Sequence, residues 1–201
     1  MAKKYIHTPR FVRTLQSTLK SIPMAFGIEL YKHTEDRQVL EEVIFPYFVP
    51  LSQFSKILFV GCAWYTRGYR AKFKNKDYQT LEIDPAESKY GAKKHIIDSI
   101  ENINHHFHDG ELDLIICNGV FGWGLNEKTS IEEAFQGCYR SLRPGGVFIL
   151  GWNDIPLRCP LLLSECEGLQ LFQPFVFPPL STAQYLVANS SRHTYNFFIK
   201  T

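Results

Sequence analysis

The sequence has no apolar run approaching the roughly 18 residues that a membrane-spanning helix needs, so an integral membrane protein is not expected. It has no acidic residue before Glu29, although Lys3, Lys4, Arg10, Arg13 and Lys20 precede that position. It also has no CxxC pair. Its five cysteines, Cys62, Cys117, Cys138, Cys159 and Cys166, stand apart and are odd in number. That argues against a disulfide framework and for reduced, buried thiols in a cytoplasmic protein. Nor is there a strong charge imbalance: 22 basic against 20 acidic residues leave a formal charge of +2, too small to point to nucleic acid.

What is present fits one soluble globular unit. The chain has 201 residues, 45% of them hydrophobic and 21% charged. The acid-free, basic start has the composition of an organelle transit peptide, but a basic surface helix over residues 10–20 is the preferred reading. Residues 10–55 read as helical. Within them "TEDRQVLEEVIF" offers Thr34 as a cap and Val39, Leu40, Val43 and Ile44 as an apolar face.

From Ile57 onward strand-like and helix-like stretches alternate, the pattern of an α/β parallel sheet. The spacing predicts strands at "KILFV" (56–60), "YQTLEI" (78–83), "HIID" (95–98), "LDLIICNG" (112–119) and "VFILGW" (147–152). Asp84-Pro85 starts a helix after the second strand. "SIEEAFQGCYRSL" is predicted as a helix with a Ser130/Glu133 capping box, an apolar face of Ile131, Ala134, Phe135, Cys138 and Leu142, and a stop at Pro144-Gly145-Gly146. "LFQPFVF" and "HTYNFFIK" supply two closing strands, giving seven.

The run "LDLIICNGVFGWGL…IEEAFQGCYRSLRPGGVFILGW" resembles the class I methyltransferases that use S-adenosylmethionine (SAM). The likeness covers about residues 55–200. It implies a doubly wound, Rossmann-like α/β sheet of seven strands, mostly parallel with an antiparallel final strand. The expected division is a helical N-terminal extension over 1–55 and a SAM-binding, methyltransferase-like unit over 56–201.

The resemblance also implies a site. Gly61, Cys62, Ala63, Trp64 and Tyr65, after the first strand, would face the methionine part of SAM. Glu82, with Asp84 as runner-up, would hold the ribose hydroxyls next to Ile83. Asp98 would meet the adenine amino group, and Asn118, Gly119 and Val120 would run along the cofactor's amino-acid end or the transferred methyl. Independently of the family, ligands of open α/β sheets bind beyond the carboxyl ends of the strands, where all these residues are predicted to stand. A carboxylate has two acceptor oxygens for a ribose diol. Each acid also has a plainer reading as a helix cap or turn residue.

The first loop departs from the family pattern. Phe59 replaces an acid, and Ala63 and Tyr65 stand where glycines are usual. Trp64 or Tyr65 would either pack over a sulfonium or fill its space. The expectation is therefore methyl transfer to an oxygen or nitrogen of a small-molecule acceptor, with a non-catalytic binding protein as the alternative. A nicotinamide oxidoreductase is disfavoured because "GCAWYTRG" lacks G-x-G-x-x-G. "CNGVF" lacks the Asn/Asp-Pro-Pro-aromatic signature of base-amino enzymes, which disfavours a nucleic-acid substrate. "HHFH" (105–108) reads as a solvated loop, and no metal is expected. "WND" (152–154) ends the fifth strand as a turn or an acceptor contact. No catalytic base stands out, and the oligomeric state is open.

Overall fold

The computed structural model describes residues 34–201. The basic helix expected over 10–20 lies outside them. None of the described helices is long and apolar enough to cross a membrane.

Five strands run parallel: β1 (Lys56–Val60), β2 (Asp77–Glu82), β3 (Lys94–Ile97), β4 (Leu112–Asn118) and β5 (Leu142–Asn153). Each falls within a residue or so of its predicted start except β5, which begins five residues earlier than Val147. β1 and β4 are buried nearly throughout, which is why their sequences are unbroken apolar runs. From one edge inward the sheet runs β3-β2-β1-β4-β5. Chain order therefore reverses between β1 and β4, the place where a doubly wound sheet opens a crevice for a ligand.

The closing strands differ from expectation in number. β8 (His193–Ile199) runs antiparallel to β5 as predicted, but its outer neighbour comes in two pieces. β6 (Gln173–Pro174) pairs with Phe198–Ile199, and β7 (Gln184–Leu186) pairs with Thr194–Asn196, both antiparallel to β8. Eight strands thus fill seven positions. Of the nine intervening residues (175–183), Phe175 and Ala183 still bond the Phe197 backbone, and those between them leave the edge so that Phe177 can reach the core, where its ring stacks on Phe197 at 4.5 Å and on Phe48 at 5.7 Å.

One face of the sheet is covered by α1 (Glu35–Gln38), a widened π-helical stretch (Val39–Ile44) and α2 (Phe45–Phe48), which follow one another without a break. Pro46 has no N–H with which to close an ordinary helical bond, and the widened register ends just ahead of it. The buried residues are Arg37, Leu40, Glu41, Ile44, Phe45 and Phe48, spaced three and four apart. Two expectations need correcting here. Val39 and Val43 only flank the buried stripe, because its centre turns toward Arg37 and Glu41. Thr34 precedes α1 but its hydroxyl makes no capping bond.

α3 (Tyr69–Lys72) packs on the same face, with Tyr69 and Phe73 edge-on to Phe45 at 4.8 and 4.9 Å. The opposite face is covered by α4 (Lys128–Ser141) and α5 (Glu167–Gln170). Ile131, Ala134, Phe135 and Cys138 are buried as the spacing predicted. The predicted capping box is not: α4 begins two residues before Ser130, with Glu127 at the cap and the bond Ile131 N–H to Glu127 O (2.9 Å) already closing the first turn. α4 also ends before Pro144. Leu142 is already extended and paired with Leu112, so Pro144-Gly145-Gly146 forms an irregularity inside β5 rather than the helix stop. There Arg143 bonds Asp113 and the Gln53 carbonyl, tying the amino ends of β1, β4 and β5 together.

Candidate active site at the carboxyl ends of the strands

The registers align six residues in one row across the sheet, at the carboxyl ends, on the face that α1 covers. Ile97 pairs with Glu82, Asn118 with Gly151, and Gly151 with Tyr195. Gly61 follows directly from the pairs Val60–Leu81 and Val60–Cys117, which places it between Glu82 and Asn118. The row reads Ile97, Glu82, Gly61, Asn118, Gly151, Tyr195. Two glycines flank Asn118, so the middle of the row is a trough in side-chain cover, whose Gly151 side the Asn118 amide itself occupies.

Both glycines are required by contact. Gly61 has φ +96°, and a Cβ there would lie 2.6 Å from the Asn118 carbonyl oxygen and 2.8 Å from a Val120 methyl. At Gly151 a Cβ would lie 2.0 Å from Asn118 Oδ1 and 3.0 Å from His193 Nε2.

Glu82 links the first two loops. Its Oε2 accepts the Cys62 N–H and its Oε1 the Asp84 N–H, both at 3.0 Å. Asp84, the runner-up, instead caps the short helical turn Pro85–Tyr90 through Ala86 N–H. Ile83 is 63% exposed and Ile97 is 54% exposed, two apolar side chains left at the rim on either side of Glu82. Asp98 follows β3, and its carboxylate is engaged by Asn102, His106 Nε2 (2.7 Å) and Ser99 N–H. The Asn102 bond first, then His106, hold its pKa down at about 2. His106 of "HHFH" is thus the partner of Asp98. Among the described residues no group of three or more His, Cys, Asp or Glu side chains is arranged to hold a metal ion.

The rebuilt first loop becomes a short turn, Trp64–Thr66, closed by Thr66 Oγ1, which donates to the Ala63 carbonyl and accepts its N–H. Cys62 is buried; desolvation, reinforced by the nearby Glu82 charge, pushes its thiol up to about 12. Tyr65 lies under Arg37 of α1, with the guanidinium carbon 4.2 Å from the ring centre. Arg37 also donates to the Tyr65 carbonyl at 3.2 Å, to Glu41 at 3.0 Å and to the Tyr69 hydroxyl. No pattern in the sequence pointed to Arg37. The signal available was a charge inside an otherwise apolar helical stripe.

At the other end of the row, Gly119 turns the chain with φ +70° and Val120 packs toward Gly61. Asn118 Oδ1 lies 3.1 Å from Nε2 of the buried His193, another residue the sequence did not single out. Burial pushes the His193 pKa down to about 4; Asp36 opposes the shift and Arg37 adds to it. Asn153 accepts the indole N–H of Trp123 and donates to the Ser191 carbonyl, so it fastens the loops after β4 and before β8. Asp154 pairs with Arg192 at 3.0 Å.

A reversal point between β1 and β4, with acids at successive strand ends beside it, is the place where doubly wound sheets take their ligands. Residues 59–150 match the family profile described as "Methyltransferase domain". That segment, just under half of the chain, is similar to the methyltransferase-domain family that the sequence resembles. Solved structures share the fold at low identity. A TehB-like SAM-dependent methyltransferase from Corynebacterium glutamicum is 17% identical, with TM-score 0.61, covering 96% of this chain and 100% of its own. The N-methyltransferase NodS from Bradyrhizobium japonicum with S-adenosyl-L-homocysteine is 15% identical, with TM-score 0.55, covering 94% and 98%. The 1,6-didemethyltoxoflavin-N1-methyltransferase of Burkholderia thailandensis is 12% identical, with TM-score 0.56, covering 100% and 93%. No curated protein matches the sequence.

Proposed function

We propose that the row from Ile97 to Tyr195 binds SAM and that the protein transfers its methyl group to an oxygen or nitrogen of a small-molecule acceptor. The observation that carries this reading is the trough at Asn118, bounded by Gly61 and Gly151, with the Glu82 carboxylate one strand away. In that arrangement Glu82 holds the ribose hydroxyls while its bonds to Cys62 and Asp84 N–H keep it from rotating. Ile83 and Ile97 give the adenine an apolar rim. Asp98, fixed by Asn102 and His106, stays ionised and is ready to accept from an exocyclic amine. Gly61, Cys62, Ala63, Trp64 and Tyr65 border the methionine part, and Asn118, Gly119 and Val120 its far end.

The bound cofactor supplies an electrophilic methyl on a sulfonium. The chain's own part is to orient donor and acceptor and to exclude water, the largest effect available without a strong base. Two of the structures that share the fold are N-methyltransferases by name, which favours nitrogen of the two proposed acceptor atoms. The test is isothermal titration with SAM and with S-adenosylhomocysteine, repeated on Glu82→Gln with its melting temperature as control. Micromolar binding that weakens at least about tenfold in a folded variant supports the reading, a loss expected for one charged hydrogen bond. No heat with either ligand overturns it and leaves a methyltransferase-like binding protein.

A further inference from the structure

We propose that His193 is a positioning residue for Asn118: its Nε2–H holds the Asn118 side-chain oxygen, so that the amide NH2 faces the trough and donates to the carboxylate end of the bound cofactor. The inference rests on the reading of the preceding subsection and adds a residue outside the matched segment 59–150.

The geometry begins with Gly151. It lies between Asn118 and His193 in the sheet, and any side chain there would collide with both, at 2.0 Å from Asn118 Oδ1 and 3.0 Å from His193 Nε2. The missing Cβ is what lets the two side chains meet across a strand. His193 is itself held from several sides. Its backbone N–H donates to Asn189 Oδ1 at 3.2 Å, and its ring stands edge-on to Tyr195 at 4.8 Å. Tyr195 in turn donates its hydroxyl to the Asp36 carbonyl at 2.8 Å, which links the arrangement to α1.

The direction of the bond follows from chemistry. An amide oxygen only accepts, so the contact requires the proton on Nε2. An asparagine whose amide has nothing to fix it can present either end to a ligand. One whose oxygen is occupied presents its two N–H donors. The charged and titratable groups around the imidazole are Asp36 and Arg37 from α1 and Tyr195 from β8, and burial outweighs them in keeping the ring neutral at physiological pH. The ligand atom that meets Asn118 is therefore one that accepts hydrogen bonds, as a carboxylate oxygen does.

The experiment is titration with S-adenosylhomocysteine of the full chain, His193→Leu, His193→Gln and Gly151→Ala, each checked for folding by thermal melt. The unaltered protein failing to bind would overturn the proposed function itself. If it binds, His193→Leu is expected to weaken binding about tenfold, the loss of one oriented hydrogen bond, while His193→Gln, which keeps a donor, stays within about threefold. Gly151→Ala, which separates the pair sterically, is expected to follow the Leu variant. His193→Leu binding as tightly as the unaltered protein, or Gln failing as badly as Leu, would overturn the proposal. Should His193→Leu fail to fold, Gly151→Ala binding at full strength would overturn it.

Discussion

Arg37 holds Tyr65 twice, by a 3.2 Å hydrogen bond to its carbonyl and by a guanidinium placed 4.2 Å from its ring centre. A helix ahead of the sheet thereby fixes the loop in which glycines have been replaced. The side chains of Arg37 and Glu41 are only 5% and 2% exposed, so this ion pair is inside the protein. Arg37→Met removes the guanidinium that Glu41, Tyr69 and Tyr65 share. Losing one partner of a buried pair costs about 3 kcal/mol or more, which urea denaturation would read directly. S-adenosylhomocysteine binding is expected to weaken in parallel. A variant as stable as the parent would show that the pair contributes nothing.

Gly61→Ala tests the trough from the other side. At φ +96° an L-residue is strained by about 1–3 kcal/mol before any contact is counted, and the new methyl would also meet the Asn118 carbonyl at 2.6 Å. The expected outcome is a lower melting temperature together with loss of ligand binding. Gly68→Ala, where a Cβ has no neighbour within 4 Å, is the matched control and is expected to change neither.

His193 makes stability depend on pH in a defined window. Its pKa is about 4 in the folded chain against an ordinary 6.5. Between these values the unfolded chain binds the extra proton and the folded chain does not, so stability is complete above 6.5 and falls as pH drops toward 4. Denaturant titrations from pH 7 to pH 4 are expected to show that slope in the parent and a shallower one in His193→Gln.

Asp98 acts in the same sense further down the pH scale. With its pKa held near 2 against the usual 3.8, chiefly by Asn102 and then His106, it contributes stability above 3.8 that disappears as pH falls through 2. It is a partly exposed group, so the contribution is about 1 kcal/mol at most. Carboxyl NMR titration of Asn102→Ala is expected to move the Asp98 midpoint upward toward 3.8.

The thiols give a fifth check. Burial pushes Cys62, Cys117 and Cys166 up to about 12 and Cys138 well above its ordinary value. Iodoacetamide at pH 8 is expected to label the folded protein slowly and only at the half-buried Cys159, and all five cysteines after denaturation. Rapid labelling of Cys62 would contradict the closed first loop.

What the sequence disclosed and what it withheld divide along contact range. β1 and β4 were readable because burial on both faces leaves an unbroken apolar run, and Glu82, Asp98 and Asn118 because a strand end is a local feature. The start of α4 was misplaced because Ser130 and Glu133 satisfy a capping pattern that the chain, having already turned at Glu127, does not use. The edge strand was read as one piece because nothing local says that Phe177 is needed in the core. Arg37 and His193 were invisible for a plainer reason. Their partners Tyr65 and Asn118 lie 28 and 75 residues away, and only the folded sheet brings them together.

The divided outer edge of the sheet also governs how the molecule meets its own copies. A strand arriving from another chain needs a continuous ladder of unpaired N–H and C=O groups. Beyond β8 it would find Gln173 and Pro174, the latter without an N–H, then a detour held to β8 only at Phe175 and Ala183, then three more residues. The opposite edge, β3, is four residues long and opens with a lysine. Neither border is long enough to template a second sheet, so the described fold resists strand-by-strand polymerisation at both ends.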